Sequence, residues 1–228
     1  MKTANSSTTG SFALNYKKIP FTVVNLSLDS LELTAKSVGA APTTTKADGT
    51  PKYTVPFIHD HNSSKTVSDS LDVAKYLDKA YPDSPKLFTE GSEKVQEDLI
   101  NALTQAVGPI FPIVMLKTWD LMAEGMKEAR GRRGEAAMYT SFPKFTKEQE
   151  RDAWERAKKA FEDSAKRLNE DDNEYVFAKL VLAVLGSVVK MSFGEKSNEW
   201  RDMSSWAGGF VGKVTDATLG YESQMVLE

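Results

Sequence analysis

Two short stretches of this chain carry residue types whose spacing could do chemistry. Val55-Pro56 falls inside Tyr53-Thr-Val-Pro-Phe-Ile-His59, a run that reads as a strand, and a proline there removes a ladder donor. Either of two arrangements accommodates it. On an edge strand the missing N–H faces solvent; in a cis Val55–Pro56 peptide the polar backbone of Val55 turns outward toward a ligand. Ser68-Asp69-Ser70 ends the next strand and opens a helix. Free N–H groups, a hydroxyl and the positive helix end converge there, so a ligand carboxylate would fit. The plainer reading is an N-cap, because Ser and Asp are preferred caps.

Three further motifs are weaker. His59-x-His61 has no third ligand and straddles a polar turn, Asp60 to Ser64, which reads as a solvated turn rather than a metal site. Arg130-Gly-Arg-Arg133 could hold a phosphate, but a solvated helix terminus suits an acidic chain better. Gly208-Gly-Phe-Val-Gly212 follows no strand, so it is no dinucleotide fingerprint.

The composition narrows the chemistry. No Cys is present, which excludes disulfides, thiolate metal sites, Fe–S clusters and a Cys nucleophile. Any thiol chemistry must come from a ligand. The 228 residues hold 29 Lys and Arg against 32 Asp and Glu, a formal net charge of −3, with no basic footprint for nucleic acid. The length allows one large domain or two small ones with a real core. The amino end lacks the apolar segment of a secretory signal. The longest apolar run, Leu180 to Val189, is about half of what a membrane span needs. A cytoplasmic protein with no membrane and no nucleic-acid partner is the expectation.

The elements that must position these residues follow from periodicity. Phe12, Tyr16 and Ile19 predict a first helix from Thr8 that stops at Pro20, and Phe21 to Leu26 a strand. Asp29-Ser-Leu-Glu32 has capping-box spacing for a second helix closed by Gly39. Residues 53–59 and 65–68 predict a hairpin, and Leu71, Ala74, Leu77 and Tyr81 a third helix. After the proline-containing segment from Pro82 the strand signals vanish. Gly108-Pro109 and Pro112 should break or kink the helical stretch 92–130. Thr146-Lys-Glu-Gln149 is another capping box, and Val176 to Met191 reads as a buried core helix. The organisation is a small α/β domain at 1–81, a linker at 82–91 and an all-helical domain at 92–228.

A strand-borne Val-Pro, a hairpin, Asp-Ser at a helix start, a proline-containing linker and an all-helical domain together resemble the glutathione transferase superfamily. Phe12-Ala-Leu-Asn-Tyr-Lys-Lys-Ile-Pro-Phe21, Tyr53-Thr-Val-Pro-Phe-Ile58, Ser70-Leu-Asp-Val-Ala-Lys-Tyr-Leu-Asp78, Tyr81-Pro-Asp-Ser-Pro-Lys-Leu-Phe88 and Trp200-Arg-Asp-Met-Ser-Ser-Trp206 look like the fungal FuA class, which is related to bacterial β-etherases. The resemblance implies a thioredoxin-like first domain that binds glutathione as co-substrate. Val55 would pair its backbone with the cysteinyl part, next to a cis Pro56, while Asp69 and Ser70 would hold the γ-glutamyl end. A Ser or Thr at the start of the first helix would donate to the glutathione sulfur and favour the thiolate. The implied activity is conjugation of that thiolate to hydrophobic electrophiles, or cleavage of aryl ethers. The alternative is a non-catalytic binder of phenolic or aromatic ligands on the same fold. Pro109, Phe111, Met115, Trp119 and Met122 fall where the family lines its co-substrate pocket, although Met and aromatic residues on helices are usually core. Family members often form homodimers through these domains, so a homodimer is implied, while no sequence feature marks the partner surface.

Two departures from the family carry expectations of their own. Only eleven residues precede Phe12, apolar only at Met1 and Ala4, so the first strand of the sheet is expected to be missing. The sheet would then have three strands, near 21–26, 53–59 and 65–68. The segment entering the first helix is replaced by Asn5-Ser6-Ser7-Thr8-Thr9-Gly10, which leaves Ser6, Ser7 and Thr8 as positional candidates for the activating hydroxyl; the alternative is a polar terminus that is not tied down. The core helix lacks the family's capping box, leaving Asp172 or Asn173 as its cap.

Overall fold

In the computed structural model, which describes residues 2–4, 9–46, 48–166, 175–222 and 226–227, the chain divides into two units, 1–90 with 217–228 and 91–216. The first unit contains β1 (Lys2–Ala4), α1 (Thr9–Tyr16), β2 (Thr22–Val24), α2 (Leu28–Ser37), a small hairpin of β3 (Thr44–Thr45) and β4 (Pro51–Lys52), β5 (Phe57–Asp60), β6 (Lys65–Ser68), α3 (Ser70–Ala80) and β7 (Val226–Leu227). Its main sheet has five strands in the order β6-β5-β1-β2-β7. The fold is thioredoxin-like.

β1 corrects the expectation of a missing first strand and of a three-stranded sheet. Lys2, Thr3 and Ala4 pair in parallel with Thr22, Val23 and Val24, while Lys2 and Thr3 pair antiparallel with His59 and Ile58. The pairing is made by backbone N–H and C=O groups, which three residues supply without the apolar side chains that mark a longer strand. β7, placed in the helical domain by the sequence reading, pairs in parallel with β2 and groups with the first unit.

Helices α1 and α3 close the core of this unit. Phe12, Ala13 and Leu14 of α1 and Val73, Ala74 and Leu77 of α3 are buried with Val23 and Ile58. The 73, 74, 77 spacing puts the α3 residues on one helical face. α2 starts earlier than its sequence suggested: Ser27, not Asp29, is the N-cap, and its Oγ accepts from the Ser30 N–H at 3.1 Å.

The linker is tied to this unit by a buried ion pair. Lys17, 1% exposed, donates from Nζ to Asp78 Oδ1 at 2.6 Å and to the Pro85 carbonyl at 2.9 Å. Asp78 Oδ2 also accepts from the N–H groups of Leu87 and Phe88, at 3.0 and 2.9 Å. Burial pulls the Lys17 ammonium below its ordinary pKa, against the hydrogen bond and charge of Asp78.

The second unit contains α4 (Glu93–Ala106), a 3-10 turn (Gly108–Ile110), α5 (Phe111–Leu121), α6 (Glu124–Arg132), α7 (Ala137–Thr140), α8 (Lys147–Ala165), α9 (Val176–Phe193) and most of α10 (Asn198–Glu222). Pro109 and Pro112 interrupt the ladder as predicted, and the axis bends by 42° between α4 and the Gly108–Leu121 segment. Both halves of the Thr146–Gln149 capping box form. α10 breaks at Trp206 to Gly209, where Gly208 and Gly209 take φ values of 68° and 85° that glycine tolerates.

α9 is the core helix and runs for 18 residues, with a mean hydropathy of 1.9 that would suit a membrane span by length and composition. Half of it is buried within the protein, with Phe177, Ala178, Leu182 and Ala183 at 0–1% exposure. Its N-cap, Tyr175, offers no side-chain cap, and Asp172 and Asn173 lie outside the described residues. The cap comes from a neighbouring helix instead: fully buried Gln96 of α4 accepts the Ala178 N–H through Oε1 at 3.1 Å. Further along the helix Gly186 admits α10, because a Cβ there would lie 2.1 Å from Thr215 Oγ1.

Removing Asp78 strands a buried ammonium and two linker N–H groups, so Asp78→Ala should lower stability by about 3–5 kcal/mol in urea titration. Thr146→Ala, which loses only a surface cap, should cost about 1 kcal/mol in the same assay.

Candidate functional site

The hairpin register builds the site. β5 and β6 pair antiparallel with Phe57 opposite Ser68 and Asp60 opposite Lys65, so the residues just before β5 and just after β6 leave the sheet side by side. The Asp69 N–H donates to the Pro56 carbonyl at 3.3 Å and joins the two segments. The Val55–Pro56 peptide is cis. The edge-strand reading does not hold: the strand begins at Phe57, after the proline, and β5 lies between β6 and β1. Neither the N–H nor the C=O of Val55 pairs with another backbone group among the described residues.

The helix start opposite is polar and strained. Asp69 is the N-cap of α3, its Oδ1 accepting from the Leu71 N–H at 2.8 Å. Its φ of 77° with ψ of 140° is a sparsely populated conformation for a residue with a Cβ, and such conformations cluster where ligands bind. The Ser68 hydroxyl is buried and has no hydrogen-bond partner, an exception to the rule that buried polar atoms are paired. Ser70 opens α3 and is half-buried. Val55, Pro56, Asp69 and Ser70 thus stand at one end of one hairpin, with an unpaired backbone facing a helix N-terminus. Ser68 belongs with them. In the sequence Ser68 stands within the Ser68-Asp69-Ser70 motif, but nothing there signals that its hydroxyl is left unpaired.

The far end of the hairpin is locked by a carboxylate. Asp60, 2% exposed, accepts from Tyr76 Oη at 2.6 Å, Tyr81 Oη at 2.8 Å and the Asn62 N–H at 3.0 Å. Burial favours the protonated acid, but the donors from Tyr76, Tyr81 and Asn62 together outweigh it and hold the Asp60 carboxyl below its ordinary pKa.

The weaker motifs resolve into structural roles. His59 Nδ1 meets Thr66 Oγ1 at 2.8 Å, and the His59 and His61 rings pack edge to face at 4.8 Å. No cluster of three metal ligands occurs among the described residues. Arg130 Nη1 and Arg133 Nε both donate to buried Glu135, at 2.8 and 2.9 Å. That segment is therefore a partly buried ion-pair cluster rather than a solvated terminus. Arg130 also lies over the Tyr139 ring, which stacks on Trp119. Of the row implied for the co-substrate pocket, Phe111 and Met115 line a cavity of about 240 Å³ inside the helical unit. Ser6, Ser7 and Thr8 lie outside the described residues; α1 opens just after them, at Thr9.

A thioredoxin-like unit with a proline corner against a helix N-terminus, followed by a helical unit, matches one family along most of the chain. The glutathione S-transferase N-terminal domain family matches residues 3–85, and the glutathione S-transferase C-terminal domain family matches residues 96–221. The chain belongs to the glutathione S-transferase family.

Three fungal proteins are among those it is similar to. A glutathione S-transferase of Ceriporiopsis subvermispora, solved in complex with glutathione, is 27% identical with a TM-score of 0.81, covering 97% of each chain. Glutathione transferase GSTFuA3 of Phanerochaete chrysosporium is 25% identical with a TM-score of 0.79, covering 96% of each chain. The glutathione S-transferase-like protein ustS of Aspergillus flavus is 34% identical over 126 residues, which is 53% of this chain but only 42% of that protein's length.

The Asp60 clamp gives a pH-dependent prediction. Its folded pKa lies below the unfolded one, so its contribution is full above about pH 4 and disappears as pH falls through the folded value. Tyr76→Phe removes one donor to the charged carboxylate and should cost about 1.5–3 kcal/mol at pH 7. The cost should shrink in parallel urea titrations as the pH is lowered, because protonation of the folded Asp60 removes the charge that Tyr76 donates to.

Proposed function

We propose that the protein is a glutathione transferase whose first unit binds glutathione at Val55, Pro56, Asp69 and Ser70. The observation that carries this reading is the Asp69 N–H to Pro56 C=O bond at 3.3 Å, which sets the unpaired backbone of Val55 beside the start of α3. The donor set fits the tripeptide. Val55 offers one N–H and one C=O, matching the backbone of the cysteinyl residue. The α3 N-terminus and the Ser70 hydroxyl suit the γ-glutamyl carboxylate, and the Asp69 carboxylate suits its ammonium. The buried Ser68 hydroxyl supplies a further unpaired polar atom at the same end.

The protein has no thiol of its own, so the bound glutathione supplies the nucleophile. A hydroxyl donor and the positive end of α1 would stabilise its thiolate, and Ser6, Ser7 and Thr8 are the positional candidates for that donor. The thiolate would add to hydrophobic electrophiles or attack the alkyl carbon of an aryl ether and displace the aryloxide, in a cytoplasmic detoxification role. A homodimer is the proposed assembly.

Glutathione binding by calorimetry, with turnover of 1-chloro-2,4-dinitrobenzene, tests this. Asp69→Asn keeps an acceptor for the Leu71 N–H and a residue type that tolerates positive φ, so the fold should be retained. Loss of the charge should weaken glutathione binding by about tenfold or more. Unchanged affinity in that variant would remove Asp69 from the site. Binding of phenols by a protein that neither binds glutathione nor turns over would favour the non-catalytic alternative.

A further inference from the structure

We propose that His59 and His61 form a two-imidazole site for a divalent transition metal, copper(II) before nickel or zinc, with Thr66 setting the His59 ring in the ligating tautomer. They are the two histidines of a chain that has no cysteine. Both stand at the turn end of the β5–β6 hairpin, where Asp60 pairs with Lys65, while Val55 and Ser68 stand at the other end, where Phe57 pairs with Ser68. The inference is therefore independent of the glutathione reading.

The hydrogen bonds around His59 assign its ring proton. His59 lies opposite Thr66 in the hairpin register, and its Nδ1 meets Thr66 Oγ1 at 2.8 Å. The Thr66 hydroxyl has one proton and donates it to the Val38 carbonyl. Toward His59 it can therefore only accept. Nδ1 carries the hydrogen, and Nε2 keeps its lone pair. A histidine that ligates a metal through one nitrogen and donates from the other to a fixed oxygen has this arrangement, which orients the ring and raises the basicity of the ligating nitrogen. The bond that gives His59 its place in the hairpin thus also prepares its other nitrogen for a cation.

The second ring stands at the spacing that one ion requires. His61 is exposed in the turn, its ring centroid 4.8 Å from that of His59 and the two planes crossed at 81°. Imidazole nitrogens bind such a metal at about 2.0 Å, so each ring centre lies roughly 3 Å from the ion and two adjacent ligand rings lie about 4–5 Å apart. Rotation of the exposed His61 ring brings its nitrogen toward the same point. The missing third ligand, which in the sequence favours a plain turn, sets the class of the site instead. No third His, Cys, Asp or Glu joins the pair among the described residues, and the Asp60 carboxylate between them is taken by Tyr76 and Tyr81. Water would fill the remaining positions. Imidazole without carboxylate suits copper, nickel and zinc, of which copper binds tightest, and leaves magnesium and calcium without the oxygen ligands they need.

The probe is copper(II) chloride, titrated into the full chain without glutathione, whose thiol would itself bind and reduce the ion. Electron paramagnetic resonance should show a copper centre split by two imidazole nitrogens, and excess magnesium should leave it in place. Because the chain holds no further histidine, that splitting can come only from this pair or from two copies sharing one ion. His61→Gln, in the exposed turn, should reduce the splitting to one nitrogen and weaken copper binding by about tenfold or more. Thr66→Val should weaken binding by a similar factor with both imidazoles kept, and Thr66→Ser, which retains the hydroxyl, should restore it. If Thr66→Val fails to melt cooperatively, the Thr66→Ser and His61→Gln results decide. Nitrogen-free copper signals, unchanged affinity in His61→Gln or in folded Thr66→Val, loss of binding in folded Thr66→Ser, or a two-nitrogen signal that appears only with copper-dependent dimers in sedimentation would each overturn the proposal.

Discussion

The register of β5 against β6 is the constraint on which the site depends. With Phe57 opposite Ser68, the chain leaves the sheet at Pro56 and Asp69 close enough for one hydrogen bond to join them. A slip of one residue would turn every side chain of one strand to the opposite face and carry the helix start away from the proline corner. The opposite end of the hairpin resists that slip. Asp60 receives Tyr76 and Tyr81 from α3 and its following turn, and Thr66 bonds both the His59 ring and the Val38 carbonyl. On its other side β5 is held by β1, through Lys2 and Thr3. The helix whose N-terminus faces Val55 is therefore fixed by hydroxyl groups at one end of the hairpin and by backbone pairing along it.

Those elements whose stability comes from their own side chains could be read in the sequence. α3 announces itself by Leu71, Ala74 and Leu77, α8 by Thr146 and Gln149, and the bend by Pro109 and Pro112. Elements held by partners distant in the chain could not. β1 and β7 are short and exist because β2 pairs with both of them, which no local periodicity records. The β3–β4 hairpin is equally short, and its pairs join Thr44 to Lys52 and Thr45 to Pro51, with no alternating apolar residues. The cap of α9 comes from Gln96, distant in sequence, and appears locally only as the absence of a good cap. At the site, the pairing of Val55-Pro56 with Asp69-Ser70 was legible because a hairpin brings them together. The unpaired state of Ser68 was not, because it depends on what fails to surround the hydroxyl once the chain has folded.

Proline acts twice in this protein, with opposite chemical consequences. At Pro56 the missing N–H ends strand pairing at its edge, and the groups left over are polar: the backbone of Val55 and, across the hairpin, the start of α3. At Pro109 and Pro112 the missing donors lie in a helix whose neighbours are apolar, and what is left over is empty volume rather than unpaired polarity. The difference lies in the surroundings. In a sheet an interrupted ladder leaves donors and acceptors exposed to whatever lies beside them, so the corner keeps polar backbone groups without a backbone partner. In a helical bundle a bend is absorbed by a 3-10 turn that still satisfies the backbone, with Ile110 and Phe111 donating to Val107 at 3.1 and 3.2 Å. Only side-chain packing is then lost, and the space that opens is lined by aliphatic, thioether and aromatic groups.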